Sequence, residues 1–447
     1  MSGEAMTDRI AELRTADPFG VAVAVVLCAG FTVSTWARGA FFDRPSTIFL
    51  GGSLLLAAAV ILRYGAAVVR REDVTLLALA VWWLISANLN DTPRSFVPLG
   101  ASFAGVLAGS LGVRVLESRA RRAVTACVVA VGSVTALVGL VACDIRWYPE
   151  AMRGQDLWRL AGTLTYPNAA GLLTGMALAL TLGSDFPARW RILSVAACSA
   201  GLVASESRGA MLATAVAGVL FLRSRIRRDF RPVVTGVCAG LVTIAGAHGL
   251  GTSIPALIGG LLVLIAGCGW SLSSRKGRAE RSDRSAHRTR RVAAGAVVVV
   301  ALAVAGILAR TEIATRSSYH SIAARTTEWH LALQQFTSAP LVGVGPDKTL
   351  TPQTGGVASY FAHNEYLQVL ADAGLVGAIL LLATVALVAY RLRHRVAQAS
   401  GPVAALLVFA LAGVTDYSWH LPALGLCAGI TLGLAADTYS PTAGAAT

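Results

Sequence analysis

The stretch FGVAVAVVLCAGFTVSTW, residues 19–36, decides the class of fold, because it contains no charged side chain. A helix needs about 20 apolar residues to cross the hydrocarbon core of a bilayer. The residues before it include Glu4, Asp8, Glu12 and Asp17, and they lack the basic stretch and small-residue cleavage site of a signal peptide. We therefore interpret residues 19–36 as a retained first transmembrane span.

The rest of the chain repeats this pattern. Its 447 residues are 55% hydrophobic and 14% charged, with a mean hydropathy of +0.64, which fits no ordinary soluble domain. Fourteen candidate spans begin near residues 19, 46, 74, 96, 123, 165, 192, 209, 232, 253, 292, 374, 402 and 421. We expect an all-α transmembrane bundle of about 12 to 14 spans, with one larger outer loop that contains short interfacial helices.

The positive charge is explained by topology. A net charge of +14 would suggest nucleic acid as the partner of a soluble protein, but the arginines lie mainly in short loops between apolar runs. If the N-terminus is cytoplasmic, most Lys and Arg residues fall on the cytoplasmic side. The basic loops 223–231 and 274–291 then face the anionic headgroups of the inner leaflet. We expect membrane lipids as partners and no nucleic acid.

This topology divides the chain into five parts: a cytoplasmic tail 1–18, spans within 19–309, a large external loop 310–373, spans within 374–436, and a cytoplasmic tail 437–447. The spans have almost no ionisable residues near their middles, which argues against a proton-coupled transporter. Any chemistry is therefore expected at the external interface.

The cysteines indicate no redox or metal chemistry. All seven lie in or at the ends of apolar runs, with no Cys-x-x-Cys pair and no metal-ligand spacing. We interpret them as small core residues without disulfides.

The external loop contains one amphipathic helical pattern, suited to the membrane surface. Its members are Arg325, Trp329, Ala332, Leu333 and Phe336. Arg325 and Trp329 lie one turn apart and share a face, while Arg325 is also spaced for a surface ion pair with Glu328. Both interpretations of Arg325 remain open.

Pro340 ends this pattern and starts a Gly/Pro turn, residues 340–348. Its glycines permit a tight backbone, and Lys348 at its end is either an anion contact or part of a plain loop.

A further helical pattern follows, and it places His363 in the first turn, close to the membrane surface, with Asn364 beside it. The positive end of the helix dipole disfavours an imidazolium there, so His363 is expected to be neutral and able to accept a proton. A general base needs that property. A structural histidine would look the same.

Ser205–Gly209 joins the outer ends of two spans, with Ser207 as a candidate N-cap. Arg208 and the helix N-terminus both favour a bound anion, so Arg208 is a candidate phosphate ligand. The alternative is an arginine that snorkels to the outer interface.

Two other polar segments reach the same side. Pro167 can begin a helix, with Tyr166 and Asn168 beside it at the outer surface. Asp416 and His420 lie between the last two spans. These side chains are either ligand contacts or ordinary helix-start and aromatic-belt residues.

Five motifs in this order resemble the O-antigen ligase and polymerase superfamily. They are Thr163–Asn168, Ser205–Gly209, Arg325 with Trp329, Pro340–Pro346, and His363–Leu367. The resemblance runs from about residue 160 onward; each motif alone is weak, and the ordered set carries it. Its departures are the compact outer loop and more candidate spans than the family commonly has.

The resemblance implies a membrane-embedded glycosyltransferase of the bacterial cytoplasmic membrane. Its donor would be a glycan linked to a polyprenyl (undecaprenyl) diphosphate, and its acceptor a hydroxyl on a glycan, lipid or protein outside that membrane. It implies arginines on the diphosphate and a histidine near the acceptor, hence His363, Arg208 and Arg325 as catalytic residues. The candidate substrate-binding residues are Asn364, Tyr166, Asn168, Lys348, Asp416 and His420. No outer loop carries an Asp-x-Asp pair, so we expect neither a metal nor another cofactor.

Three rival functions remain. A repeat-unit polymerase differs from a ligase only in its acceptor, which the sequence does not identify. A transporter or flippase would need charged residues along a path through the spans, and these are scarce. A scaffold would not need an arginine, a histidine and Gly/Pro turns on one face. The oligomeric state stays open.

Overall fold

The computed structural model describes residues 17–154, 157–247, 253–276, 318–348, 351–352, 358–359 and 361–436. Within them the chain is an all-α polytopic bundle with two short antiparallel hairpins. The first helices are α1 (Pro18–Trp36), α2 (Asp43–Tyr64), α3 (Arg71–Leu89), α4 (Val97–Arg114) and α5 (Ser118–Ile145). The hairpin β1 (Ala151–Gly154) and β2 (Leu157–Leu160) follows.

The second part of the bundle contains α6 (Pro167–Gly183), α7 (Ala188–Ala204), α8 (Arg208–Phe221), α9 (Arg223–Arg228), α10 (Phe230–Gly246) and α11 (Ile254–Lys276). Next come α12 (Ser318–Ser338), β3 (Thr351–Pro352), β4 (Ala358–Ser359), α13 (Glu365–Leu392), α14 (Ser400–Ala412) and α15 (Pro422–Ala435).

In the part of the chain that the structure describes, seven helices are long and apolar enough to cross a membrane: α1 to α5, α11 and α13. Five further apolar helices, α6, α8, α10, α14 and α15, are shorter. A helix occupies the place of every candidate span that falls in the described ranges. The candidate span near residue 292, the basic run beyond Lys276 and both tails lie outside those ranges.

Helix α6 is the centre of the bundle. Nearly all of its residues are buried, because it packs against α5, α7, α8 and α14. Pro167 begins it, as predicted, since proline has no N–H to leave unpaired in a first turn. Its start, with Tyr166 and Asn168, is thereby held in a fixed position at one end of the bundle. All seven cysteines are free thiols and buried or half-buried.

Helices α4 and α15 approach each other through glycines. Gly105 and Gly109 on α4 lie against the backbone of α15, and Gly425 and Gly429 on α15 lie against the backbone of α4. A Cβ at Gly109 would lie 2.6 Å from the Ile430 nitrogen. Small residues four apart allow this close packing, which dispersion stabilises where lipid removes the hydrophobic driving force.

One end of the bundle carries a buried ion network. Arg114, at the end of α4, donates to Asp73 and to Ser110, and Glu72 lies 3.4 Å from Arg391 at the end of α13. Arg191 pairs with the buried Asp229 at the same end. The charges are therefore placed at helix ends, as the apolar middles of the spans require. The candidate site lies at the opposite ends of these helices.

Candidate functional site

The start of α6 is joined to the loop between α14 and α15 by a buried carboxylate. Asp416 Oδ1 accepts hydrogen bonds from the Tyr166 hydroxyl at 2.6 Å and from Asn168 Nδ2 at 3.1 Å. Its Oδ2 accepts from Ser418 Oγ at 2.5 Å. Burial, and next the Asp416 charge, raise the pKa of Tyr166 well above its ordinary value, so the phenol remains a donor. Asp416 is 4% exposed, so its two oxygens accept hydrogen bonds from protein groups in the buried base of the site.

Arg159 on β2 extends this network, although the sequence pattern did not single it out. Its guanidinium donates to Asn168 Oδ1 at 2.7 Å and to the Ser205 carbonyl at 3.1 Å. Burial lowers the pKa of Arg159; Glu206 raises it and the nearby positive charge of Arg325 lowers it. Arg325 on α12 therefore lies within electrostatic range of β2. The available signal was an arginine four residues before Thr163, in a segment predicted to be external.

Arg208 is the first residue of α8, beside the same loop. Ser207 is the N-cap, as predicted, and its Oγ accepts from the Ala210 N–H at 3.4 Å. Gly209 packs so tightly against Thr415 that no Cβ would fit there. The Arg208 side chain is exposed, and among the described residues it forms no hydrogen bond or ion pair. Its charge and the helix N-terminus are thus both available to an anion.

Helix α12 packs on the start of α13, a contact that the sequence pattern did not predict. Ala332 is buried against Ala371 and Leu367. Glu328, one turn earlier, is 2% exposed, and Arg325 is half-buried. Leu333, another member of the predicted amphipathic pattern, is 41% exposed. The helix ends at Ser338, before Pro340, as expected.

The sequence pattern places His363 in the first turn of α13. In the structure His363 lies instead immediately before the N-cap of that helix. Asn364 is the cap, and its Oδ1 accepts from the Tyr366 and Leu367 N–H groups at 3.1 Å each. The φ angle of His363 is +47°, in the left-handed region that non-glycine residues seldom adopt. Such backbone strain persists where the surroundings hold it, often at functional sites.

The ring of His363 is held from two sides. Its Nδ1 lies 2.9 Å from Glu328 Oε2 on α12, and its ring plane is nearly perpendicular to that of Tyr417, with centroids 5.1 Å apart. Tyr417 is stacked between Tyr166 and Phe361, at centroid distances of 5.1 and 4.3 Å. The aromatic stack therefore connects His363 to the Asp416 network.

A second Glu–His pair lies deeper. Glu365 Oε2 is 3.2 Å from His420 Nδ1, and Glu365 Oε1 accepts from the Trp419 N–H at 2.5 Å. Burial is the largest single influence and lowers the pKa of His420, but Glu365, Asp372 and the Tyr417 backbone together raise it above the ordinary value. Both side chains are buried, and the pair joins α13 to the loop before α15.

The Gly/Pro turn 340–348 packs against α13 at a break in that helix. Gly374 has φ +64°, and this break lets the Leu375 N–H donate to the Pro340 carbonyl at 2.8 Å. Lys348 is exposed, and its backbone carbonyl accepts from Gln335 Nε2. Within the described ranges, no contact connects Lys348 to the Asp416 network. The turn lies closer to the connection between α3 and α4, where Ser95 donates to Asp347 at 2.9 Å.

The described contacts thus link His363 to Glu328 on α12 and, through Tyr417, to the Asp416 network, while Gly209, next to Arg208, packs on Thr415 in the same loop. Such a site can hold a polyanion with Arg208 and Arg325 while His363 accepts a proton. Across the described parts of the chain, no group of three or more His, Cys, Asp or Glu side chains is placed to hold a metal ion.

Comparison with known families gives one match. The family model described as O-antigen ligase matches residues 256–382. The matched segment includes Arg325, Glu328 and His363, whereas Arg208 and Asp416 lie outside it. The match confirms the resemblance to the O-antigen ligase superfamily over this segment. No curated protein matches the chain.

Proposed function

We propose that this multi-pass membrane protein, which carries an O-antigen ligase domain at residues 256–382, is a glycosyltransferase of the bacterial cytoplasmic membrane. It transfers a glycan from a polyprenyl (undecaprenyl) diphosphate to an acceptor hydroxyl at the outer face. The observation that supports the proposal is a part-exposed histidine, His363, whose Nδ1 lies 2.9 Å from Glu328 Oε2 on α12, the helix that also carries Arg325.

In the proposed reaction His363 accepts the proton of the acceptor hydroxyl. The acceptor oxygen forms a bond to the anomeric carbon, and the bond from that carbon to the diphosphate oxygen breaks. Arg208 and Arg325 neutralise the charge that develops on the departing polyprenyl diphosphate. A single displacement inverts the anomeric configuration.

The arginines suit this task because a planar guanidinium binds phosphate oxygens bidentately and keeps its charge. Each is expected to supply roughly 2 to 4 kcal/mol of transition-state stabilisation, by analogy with a preorganised oxyanion donor. A diphosphate is already a good leaving group, so holding the reactants and balancing charge is sufficient. We therefore propose a metal-independent reaction without another cofactor.

We assign the remaining candidates to support and substrate contact. Asn364 caps α13 and fixes the backbone next to His363. Tyr166, Asn168, Asp416 and His420 hold the floor of the site through buried hydrogen bonds and ion-pair contacts. Lys348 is exposed at the far edge, where it is free to meet an extended glycan.

The distribution of positive charge indicates how the site is oriented across the membrane. The ends of the helices opposite the site carry Arg114, Arg191, Arg228 and Arg391, together with the basic helix α9. Cytoplasmic ends collect such residues, so we place this end in the cytoplasm and the site outside. Both termini are then cytoplasmic, with the N-terminal tail, residues 1–18, leading into α1, and loop 310–373 is external.

The polymerase alternative has the same donor chemistry and a second lipid-linked repeat as acceptor. The length of the accumulating lipid-linked glycan separates the two functions. A ligase null strain should accumulate lipid-linked polymer, and a polymerase null strain should accumulate single repeats.

The test is release of polyprenyl diphosphate by the purified protein, given polyprenyl-diphosphate-linked glycans and a panel of acceptors without nucleotide sugar or added metal. Wild type should release it and transfer glycan, His363→Ala should not, and the exposed neighbour control His330→Ala should behave as wild type. Activity that EDTA abolishes and Mg²⁺ restores would overturn the metal-independent mechanism. Absence of release with every donor, combined with donor movement across proteoliposomes, would favour a flippase.

A further inference from the structure

We propose that Glu328 is a positioning residue, which fixes the ring of His363 so that Nδ1 carries the proton and Nε2 accepts the proton of the acceptor hydroxyl. The inference rests on the proposed function and adds a residue that the sequence analysis had considered only as a surface partner of Arg325.

The contact has the geometry of an oriented histidine. Glu328 Oε2 lies 2.9 Å from His363 Nδ1, within hydrogen-bond distance. An ionised carboxylate only accepts hydrogen bonds, so the proton of a neutral ring lies on Nδ1 and the lone pair on Nε2. The contact thus selects the tautomer that a base acting through Nε2 requires.

The carboxylate is held firmly. Glu328 is 2% exposed, and it lies one turn before Ala332, which packs on Ala371 of α13. The two residues of the pair come from different elements, α12 and the segment before α13. Because α12 is docked on α13, the carboxylate cannot follow a rotation of the ring, and it therefore fixes the ring orientation.

The backbone of His363 explains why the ring needs such a contact. Its φ of +47° places it outside the helix, so no helical neighbours restrict its side chain. The ring of Tyr417 is nearly perpendicular to that of His363, with centroids 5.1 Å apart. Glu328 and Tyr417 together restrict the orientation of the His363 ring.

The two Glu–His pairs of this site differ in access. His420 and Glu365 have side-chain exposures of 5% and 1%, which excludes a substrate hydroxyl. The His363 side chain is 23% exposed while Glu328 is 3% exposed, so the ring is reachable and its partner is shielded. A ring open to substrate with a buried orienting carboxylate is the arrangement of a base and its orienter.

In the proposed step the acceptor O–H bond breaks and its proton moves to Nε2. The acceptor oxygen bonds to the anomeric carbon, and the polyprenyl diphosphate leaves with the electron pair of the broken bond. The resulting imidazolium lies against the Glu328 carboxylate, whose negative charge stabilises it, and the ring then returns its proton to water.

The test compares Glu328→Gln, Glu328→Asp and Glu328→Ala with Glu365→Gln and Glu365→Asp, the matched changes in the buried pair. A positioning carboxylate predicts that the Gln variant loses on the order of 10²–10⁴-fold in kcat, with little change in KM for the donor. The Asp variant keeps the charge and should retain more activity than the Gln variant. If Glu328 had only a structural role, the Gln variant should be more active than the Asp variant, because Gln has the shape of Glu and Asp leaves a gap.

Azide provides a second measurement, because it is an anionic nucleophile that needs no base. If Glu328 acts through His363, azide should restore donor cleavage, seen as glycosyl azide, in both His363→Ala and the Glu328 variants. The Glu365 variants should show no such rescue, since their defect would be one of folding.

The outcomes separate this inference from the proposed function. If the wild type transfers glycan and Glu328→Gln is as active, the inference is wrong and the function stands. The same conclusion follows if Glu328→Asp is less active than Glu328→Gln and azide restores donor cleavage in neither of these two variants. If the wild type releases no polyprenyl diphosphate, the function itself fails. Insertion of each variant is checked by size-exclusion chromatography in detergent, and the Asp variant with azide decides the question if the Gln variant does not insert.

Discussion

The Tyr166 hydroxyl donates a hydrogen bond to Asp416 Oδ1 at 2.6 Å, although the two residues are 250 positions apart in the chain. Tyr166 is the N-cap of the central helix α6, and Asp416 lies in the loop between α14 and α15. Through Tyr417 the same loop contacts His363. This bond therefore joins the almost fully buried helix α6 to the segment that contacts the proposed base.

Asp416→Asn should destabilise the protein by about 1 to 3 kcal/mol. An amide presents N–H groups where Tyr166, Asn168 and Ser418 all donate, so at least one donor loses its acceptor. The apparent melting temperature in detergent measures the loss. Asp185→Asn, which removes an exposed pair with Arg225, is the control and should melt with wild type. Equal melting of the two variants would mean that the network carries little stability.

Arg208→Ala and Arg325→Ala should each lower turnover by roughly 10²–10³-fold, because each removes a charge that stabilises the departing diphosphate. Lysine at either position should restore only part of the rate, since an ammonium cannot bind two phosphate oxygens in a planar fork. Initial rates of polyprenyl diphosphate release provide the measurement. Arg153→Ala, an exposed arginine on β1, is the matched control. A fully active, correctly inserted Arg208→Ala would remove that residue from the site.

Asn364→Ala should cost about 1 kcal/mol of stability, since two N–H groups at the start of α13 lose their acceptor. Turnover should fall as well, because the cap adjoins the strained residue His363. Asn364→Asp keeps an acceptor at this position and should preserve the melting temperature. If the alanine and aspartate variants melt alike, the cap is not what holds this helix start.

Gly374→Ala should be destabilising by roughly 1 to 3 kcal/mol, because φ +64° with ψ −162° is open to glycine almost alone. A Cβ would also lie 2.5 Å from the Leu341 carbonyl oxygen, in the turn that docks on α13. Gly52→Ala is the control, as a Cβ there meets nothing within 4 Å. Thermal unfolding and yield after solubilisation compare the two, and equal stability would argue against a fixed break in α13.

His420 predicts how stability changes with pH. Burial is the largest influence and lowers its pKa, but Glu365, Asp372 and the Tyr417 backbone together raise it, so the folded-state pKa lies above the ordinary 6.5. Protonation of His420 therefore stabilises the fold fully at pH below the pKa of the unfolded state, and this stabilisation is lost as pH rises through the pKa of the folded state. The melting temperature of wild type should fall above about pH 6.5, and that of His420→Gln should fall less. His330→Gln, an exposed control, should follow wild type.

Some features were predictable because their causes are local. Apolar runs long enough for a bilayer predicted the helices, Pro167 predicted the start of α6, Ser207 predicted the cap of α8, and Pro340 predicted the end of α12. Each depends on residues within a few positions of one another. The ordered motifs predicted the family for the same reason, since each motif is a short contiguous pattern.

The partners of the site residues were decided by tertiary structure alone. Sequence spacing allowed an ion pair between Glu328 and Arg325, three residues apart. In the structure α12 packs on α13, and the Glu328 carboxylate lies against His363. Arg159 joined the site only because the β1–β2 hairpin folds against the start of α6. A buried polar group needs a hydrogen-bond partner. Which residue becomes that partner depends on how helices that are far apart in the chain pack together. Sequence alone therefore determined the helices and the candidate chemistry of this protein, while helix packing decided which carboxylate acts on which histidine.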